Sequence, residues 1–335
     1  MATTIKDIAQ YTGLSISTVS VALSGKANKS RITQETINRV KEAQIALNYK
    51  PNMLASGLRK GYTNTIGFVL SDVANPFFVK LASVVEMEAA KHGYRVFFAG
   101  SEEDDLKCKQ AIETFVNYQV DGLIIAPTSG VKETIQQLSR RKIPFVLVDR
   151  YFKRMNVNYV VMDNYGSAYR ATKYLLSKGR KRIATFSYNT DLLHMLDRFE
   201  GYRAALKEHQ IRFDKRLAPV IPFMKDESLM IKEYVKDLME NQKADAFFFQ
   251  TNQTALPALE FLLLNGYKIP EDVSVIVFHD NDFYKLISPG ITALRQPMEN
   301  LGLESVDTLI KWIEGATNVE KKTLPMLGIE ERRSV

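Results

Sequence analysis

The sequence predicts a small all-α headpiece followed by an α/β body made of two doubly wound parallel-sheet subdomains. Three observations carry this prediction. From residue 65 short apolar runs alternate with helical segments, and the alternation restarts near residue 158. Residues 1–61 hold nine Lys or Arg against three Asp or Glu, a net +6 out of the chain's total of +7. Within that basic end, Ala9, Gly13 and Val19 have the spacing of two helices joined by a tight turn.

The bulk properties set the bounds. With 335 residues, 45% hydrophobic and 25% charged, the chain has the composition of a globular protein with room for two or three domains. A single cysteine, Cys108, excludes an intramolecular disulfide framework and a multi-cysteine metal site, and it fits a reducing compartment. The opening MATTIKDIAQYTGLS has no continuous apolar core of the kind a secretory signal needs. No apolar run approaches the ~18–20 residues that span a bilayer. A cytoplasmic location without a membrane partner is the expectation. The charge asymmetry points to a polyanion as partner of the amino-terminal end; a merely solvated basic surface is the alternative.

In the headpiece, Ile5, Ile8 and Ala9 mark the apolar face of a first helix, which Gly13 breaks. Ser15 is placed to cap a second helix in which Val19 and Leu23 face inward and Gly25 ends the run. A third helix opens at Thr33, has Glu35 in its first turn, and runs through Ile37, Val40, Gln44 and Leu47 to Asn48. This is helix-turn-helix spacing, although any three-helix bundle can supply it. If Val19 and Leu23 point in, then Ile16, Ser17 and Val21 point out. Such a helix enters the DNA major groove with its first turn at the base edges. Ser17 can donate to or accept from a base, and Ile16 and Val21 suit thymine methyls. Ser15, Thr18 and Ser20 can reach phosphate oxygens. The alternative is a rotated helix with Ile16 or Val21 in the core. Beyond Asn48, Leu54, Ala55 and Leu58 share one stripe of a short segment that Gly57 weakens. So short a helix forms only against a partner, either its twin in a dimer or DNA; a plain linker is the other reading.

The run IKDIAQYTGLSISTVSVALSG, followed by ITQETINRVKEAQIALNYKPNMLASGLRKG, resembles the headpiece and hinge of the lactose/galactose-repressor (LacI/GalR) family. The resemblance implies a homodimer on a near-palindromic double-stranded DNA operator, with hinge helices side by side in the minor groove. Leu58 then stands at the family's wedge leucine and Ala55 where the hinge helices approach the groove. Thr4, Asn28, Arg31 and Arg59 complete the implied DNA-contacting set with Ser15, Ile16, Ser17, Thr18, Ser20 and Val21. Ile16, Ser17 and Val21 are not the commonest base-reading set, so no operator is borrowed from a relative.

In the body, the strand candidates are 65–71, 94–100, 121–127 and 144–149, with helices at about 77–92, 107–118 and 131–141. The second run has strands at 158–163, 182–187, 245–250 and 273–279. Their near-continuous apolar character predicts parallel strands buried on both faces. In such open sheets ligands bind beyond the carboxyl ends of the strands, here a cleft between two facing subdomains.

The family resemblance extends over this body through NPFF (75–78), VDGLIIAP, IPFVLVDR, DNYGSAYRATKYLLSKGRKRIA, RFEGYRAAL, QPMENLGLESVDTLI and IEERRSV. It implies a periplasmic-binding-protein-like core that the chain crosses three times, near 163, 293 and 326. The expected organisation is a headpiece at 1–50, a hinge and linker at 51–64, an N-terminal subdomain at 65–163 plus 294–326, and a C-terminal subdomain at 164–293 plus 327–335. Arg198 matches the family's ligand arginine, whose fork binds vicinal hydroxyls or a carboxylate; an interdomain salt bridge is the alternative. Asp149, Arg150 and Asp163 match strand-end positions near the cleft. Phe77 and Phe223 either stack on a sugar face or pack in the core. Thr251 and Asn252 stand where the family usually has Asn-Asp. His279 replaces the aspartate that commonly accepts a sugar hydroxyl, Pro257 replaces a usual glycine, and His194 falls in the loop before Arg198. The implied effector is a sugar, a sugar acid or a sugar phosphate, with the imidazoles favouring an anion and a satisfied His279 leaving a neutral saccharide. A protein corepressor is the other possibility.

An enzyme is not predicted. The four histidines at 92, 194, 209 and 279 have no metal-ligand spacing, and neither a nucleophile-elbow nor a P-loop motif occurs. No cofactor or metal is expected.

Overall fold

The computed structural model describes residues 3–23, 32–49, 62–222 and 227–335. It divides into two compact units, Met1–Thr63 and Asn64–Val335. The expected hinge segment with Ala55, Gly57, Leu58 and Arg59, together with Gly25, Asn28, Arg31 and Phe223, lies outside the described residues.

The first unit is built on three helices, α1 (Ile5–Thr12), α2 (Ile16–Leu23) and α3 (Gln34–Ala46). Asp7 holds the start of α1: the Thr4 backbone N–H and hydroxyl both donate to its Oδ2, at 2.7 and 2.8 Å. Gly13 ends α1 at φ 67°, a left-handed turn that a Cβ would strain. Ser15 Oγ accepts from the Thr18 N–H at 3.1 Å and so caps α2. Thr33 caps α3 in the same way through Thr36 N–H. The core between them is Ile8, Ala9, Val19, Ala22, Ile37, Val40 and Ala43. Each large apolar side chain removed from water here contributes about 1.5–3 kcal/mol. Two details differ from the sequence reading. The buried position in the last turn of α3 is Ala43, with Gln44 half-buried; Ala22 is buried beside Val19, with Leu23 only partly so. Among the described residues of this unit, three of the seven that form its core, Ala9, Ala22 and Ala43, are alanines.

The second unit holds two sheets flanked by helices. Its elements run β1 (Thr65–Leu70), α4 (Pro76–Lys91), β2 (Arg95–Gly100), α5 (Asp105–Asn117), β3 (Gly122–Ile125), α6 (Lys132–Arg140), β4 (Phe145–Val148) and β5 (Tyr159–Met162). They continue with α7 (Asn164–Ser177), β6 (Ile183–Thr185), β7 (Ser187–Tyr188), α8 (Leu193–Glu208), β8 (Val220–Ile221), α9 (Ser228–Glu240), β9 (Ala246–Phe249), α10 (Asn252–Leu264) and β10 (Ser274–Val277). The last are β11 (Thr292–Arg295), α11 (Met298–Ile313), β12 (Lys321–Leu324) and β13 (Gly328–Glu330). The first sheet has the order β2-β1-β3-β4-β5-β12, with every pair parallel. The second has the order β6-β9-β10-β11-β13, parallel except for the β11–β13 pair. A short β7–β8 pair stands apart.

Most strands are buried throughout, as their apolar runs predict, but β2 corrects that rule. It is the edge of the first sheet, and Phe97 and Phe98 are 50% and 41% exposed. The chain passes between the sheets three times: after β5, between β11 and α11, and between β12 and β13. Among the described residues no helix is long and apolar enough to cross a membrane.

Candidate functional site

Two surfaces carry the residues singled out from sequence. The first is α2. Its inner face is held by Val19 and Ala22, which leaves Ile16 44% exposed and Ser17 exposed beside it, with Val21 and Ser20 half-buried. Ser15 Oγ lies 2.7 Å from Ser17 Oγ and 2.8 Å from Thr18 Oγ1, so the three hydroxyls form one cluster at the start of the helix. The helix has no charged residue, and its free N–H groups mark its electropositive end. Thr4, which the resemblance places against DNA, is exposed at the start of α1 and committed to Asp7.

The second surface is a cleft between the two sheets of the α/β unit, lined from both sides by residues at the carboxyl ends of strands. From the first subdomain come Asp72, Asn75, Phe77, Phe78, Glu103, Asp149 and Arg150; from the second come Tyr188, His194, Met195, Arg198, Thr251, Asn252, Gln253 and His279. Phe77 of one side meets His279 of the other, edge to face, at 5.4 Å between ring centres.

Local structure explains these placements. Asn75 caps α4 by accepting from the Phe77 N–H, and Pro76 sits in the first turn, which aims Phe77 into the cleft. Asp149 follows β4 with φ 65°, a conformation uncommon for a residue with a side chain, and its carboxylate is buried. Arg198 stands on α8, one turn before Gly201. A Cβ on Gly201 would lie 2.3 Å from the Tyr165 carbonyl oxygen, so only glycine lets α8 pack this closely on α7. That approach brings the Arg198 Nε to 2.8 Å from Asn164 Oδ1, at the start of α7.

The electrostatics of the cleft are unusual for so enclosed a place. Arg150 forms a bidentate pair with Glu103, at 2.6 and 2.5 Å, and its Nε lies 3.5 Å from Asp149 Oδ2. Burial pushes the Asp149 carboxyl upward, and Arg150 and Arg198 pull it back. Burial lowers the Arg198 guanidinium to about 10, which leaves it charged at neutral pH. Burial holds His194 and His279 well below the ordinary imidazole value, and the neighbouring arginines add to this; both rings are neutral.

The structure therefore gathers Phe77, Asp149, Arg150, His194, Arg198, Thr251, Asn252 and His279 in one place. Asp163 is employed differently. Its carboxylate caps α7 by accepting from the Gly166 N–H at 2.8 Å, and it does not line the cavity. Thr251 caps α10 and Asn252 Oδ1 accepts from the Tyr284 hydroxyl. Pro257 lies inside α10, on the far side of its first turn from these two. Sequence reasoning missed Glu103, Gln296 and Asn164, the polar partners of Arg150, His279 and Arg198. Glu103 alone had a usable signal, an acidic SEEDD run directly after a strand end.

A three-helix unit with helix-turn-helix spacing, and an α/β unit of two facing sheets with a polar cleft, define a DNA-binding regulator with a ligand-binding body. Comparison with known proteins makes the class specific. Residues 4–52 match the family of bacterial regulatory proteins of the lacI type, and residues 63–327 match the periplasmic binding proteins and sugar binding domain of the LacI family. The chain belongs to the LacI family and is a transcriptional regulator rather than an enzyme. It is 28% identical over 317 residues to the HTH-type transcriptional regulator KdgR of Bacillus subtilis (strain 168), covering 93% of this chain and 92% of that one. The solved complex of the transcriptional regulator CelR with cellobiose has 25% identity and a TM-score of 0.73, over 99% of this chain and 100% of that one. The lac repressor dimer bound to operator and the anti-inducer ONPF shares the fold, at a TM-score of 0.86 and 22% identity, over 100% of this chain and 99% of that one.

Proposed function

We propose that the protein is a cytoplasmic, homodimeric repressor that reads a near-palindromic operator with α2 and is controlled by a small molecule in the inter-subdomain cleft. The observation that carries the DNA reading is the outward face of α2, where Ile16, Ser17 and Val21 stand clear of the core held by Val19 and Ala22. Neutral and small, that face fits a groove floor, while the basic residues concentrated in the first 61 positions supply phosphate contacts. In the hinge, Leu58 and Ala55 take the minor-groove role that the resemblance implies.

Exposed apolar side chains support self-association. Phe97 and Phe98 lie at the open edge of the first sheet, and Leu264 and Leu286 are 79% and 86% exposed in the second subdomain. A pairing through both subdomains places two headpieces on two half-sites. An effector in the cleft touches both subdomains at once. Any preference between more open and more closed states then biases DNA binding by a coupling of typically ~1–3 kcal/mol.

The test is selection of preferred sites from random duplex DNA by the full-length protein and by Ser17→Ala and Val21→Ala variants. The variants are expected to change base preference at one or two positions of each half-site and to leave the slope of affinity against salt unchanged. A uniform loss across all sequences contradicts the assigned face.

A further inference from the structure

Arg198 is the most enclosed charge in the cleft, only 2% exposed, yet its partners are neutral. Its Nε donates to Asn164 Oδ1 at 2.8 Å and its Nη1 to the Gln250 carbonyl at 2.7 Å, and the guanidinium lies 3.8 Å over the Phe278 ring. Among the described residues no carboxylate lies within ion-pair distance of it, and its Nη2 makes no hydrogen bond. Arg150 in the same cleft shows the contrast, with Glu103 in bidentate contact and Asp149 beside it. Asp149 also acts on Arg198, but from further off. A cation held out of water without a counter-ion is costly, by several kcal/mol.

The imidazole beside Arg198 gives a second and independent indication. Gln296 Nε2 lies 3.0 Å from the Phe278 carbonyl oxygen, which can only accept, so this end of the amide must be the NH2 group. The same NH2 lies 2.6 Å from His279 Nδ1, which must therefore accept as well. A neutral ring whose Nδ1 accepts carries its proton on Nε2. That Nε2 faces Arg198 Nη1 at 3.2 Å, and a guanidinium can only donate. Two donors thus face each other; Nη1 is satisfied by the Gln250 carbonyl, but the His279 Nε2–H has no acceptor among the described residues. This end of the cleft therefore presents a fixed donor.

We propose that the effector is a small hydroxylated acid whose oxyanion group lies against Arg198 and His279. This rests on the reading of the cleft as the effector site. One oxygen accepts from His279 Nε2–H and another from Arg198 Nη2, which supplies the missing acceptor and the missing counter-charge together. A neutral sugar hydroxyl can also accept, but it leaves the arginine uncompensated. On the opposite wall Asp149 Oδ1, buried and without a hydrogen-bond partner, is the acceptor for a hydroxyl of the same ligand. Carboxylate and phosphate share the required chemistry, and the experiment separates them.

Full-length protein is titrated by calorimetry, at constant ionic strength, with three panels of matched five- and six-carbon compounds: aldonates, aldose phosphates and neutral aldoses. At least one acid is expected to bind at least about tenfold tighter than every neutral aldose, the scale of one charge-assisted hydrogen bond. The acidic panel that contains the tightest ligand identifies the oxyanion. His279→Asp, which sets a carboxylate against the oxyanion, is expected to weaken acid binding by at least about tenfold. His279→Gln retains an N–H donor and is expected to stay within a few-fold of the parent. Neutral aldoses binding as tightly as the acids overturn the ligand class and leave the effector cleft standing. No binding from any panel overturns both. Acid binding that His279→Asp and Arg198→Met leave unchanged places the ligand elsewhere and overturns the proposal.

Discussion

The headpiece and the cleft treat polar groups in opposite ways. On α2 the groups read as functional are uncharged and exposed or half-buried, while apolar residues of the same helix hold it in place. In the cleft the charged and titratable groups Asp149, Arg150, His194 and Arg198 are buried and His279 is half-buried, and polar groups from distant parts of the chain hold Arg150, Arg198 and His279. A helix that reads DNA, the role proposed for α2, needs only a clean outer face, because the duplex brings its own charge and water. The role proposed for the cleft is to recognise a small molecule that brings few contacts, and desolvation makes each of them count. A change in the headpiece should therefore act locally, and a change in the cleft should spread to its partners.

The sharpest way to break this comparison is to introduce a charge into the headpiece core. Val19 is fully buried, and Val19→Asp is expected to cost about 3–5 kcal/mol, enough to unfold the first unit. Calorimetry should then show the α/β transition at its original temperature; a shifted α/β transition shows that the two units do not fold separately.

The next effect lies beneath the cleft. Gly201→Val places atoms where even a Cβ would sit 2.3 Å from the Tyr165 carbonyl oxygen, and it is expected to cost about 2–4 kcal/mol by urea unfolding. Because α8 carries Arg198, effector binding should weaken as well, whereas a headpiece substitution should leave it alone.

Protonation gives a third and smaller handle. His194 and His279 are held below the ordinary imidazole value in the fold, so between that lowered value and about 6.5 the unfolded chain binds more protons than the folded one. Stability then rises with pH across this window and falls as the solution is acidified through it. Between pH 7.5 and 5.5 the α/β unit is expected to lose stability, measured by urea unfolding at each pH. His194→Asn combined with His279→Gln should flatten that dependence, and an unchanged slope counts against neutral buried rings.

The smallest effect is the loss of a cap. Ser15→Ala removes the acceptor for the Thr18 N–H and is expected to cost the headpiece about 1 kcal/mol without altering the cleft. A melting curve of the first transition reads this directly.

The two regions were also unequally legible in the sequence. Helix α2 is specified within a few residues by Gly13, Ser15, Val19 and Ala22, so a local pattern is enough to read it. Most strands of both sheets are likewise largely apolar runs of three to six residues. Strands β11, β12 and β13 escaped notice because TALR, KKTL and GIE are short and of mixed polarity, and they gain their structure from pairing, β11 with β10, β12 with β5 and β13 with β11. In the cleft the reading found Asp149, Arg150, His194, Arg198 and His279, but not what holds them. Glu103 is 47 residues from Arg150, Asn164 is 34 from Arg198, and Gln296 is 17 from His279. No periodicity spans such distances. Asp163 looked like its neighbours at a strand end, yet the helix after it needed a cap more than the cleft needed another carboxylate.

The division of labour between the two units is tested most directly by comparing the full chain with a fragment of residues 64–335 on the selected operator and on random duplex DNA. The fragment is expected to lose at least about a thousandfold in operator affinity, the usual gap between specific and nonspecific binding, and to bind the effector as the full chain does. A fragment that keeps operator affinity contradicts the assignment of DNA reading to α2.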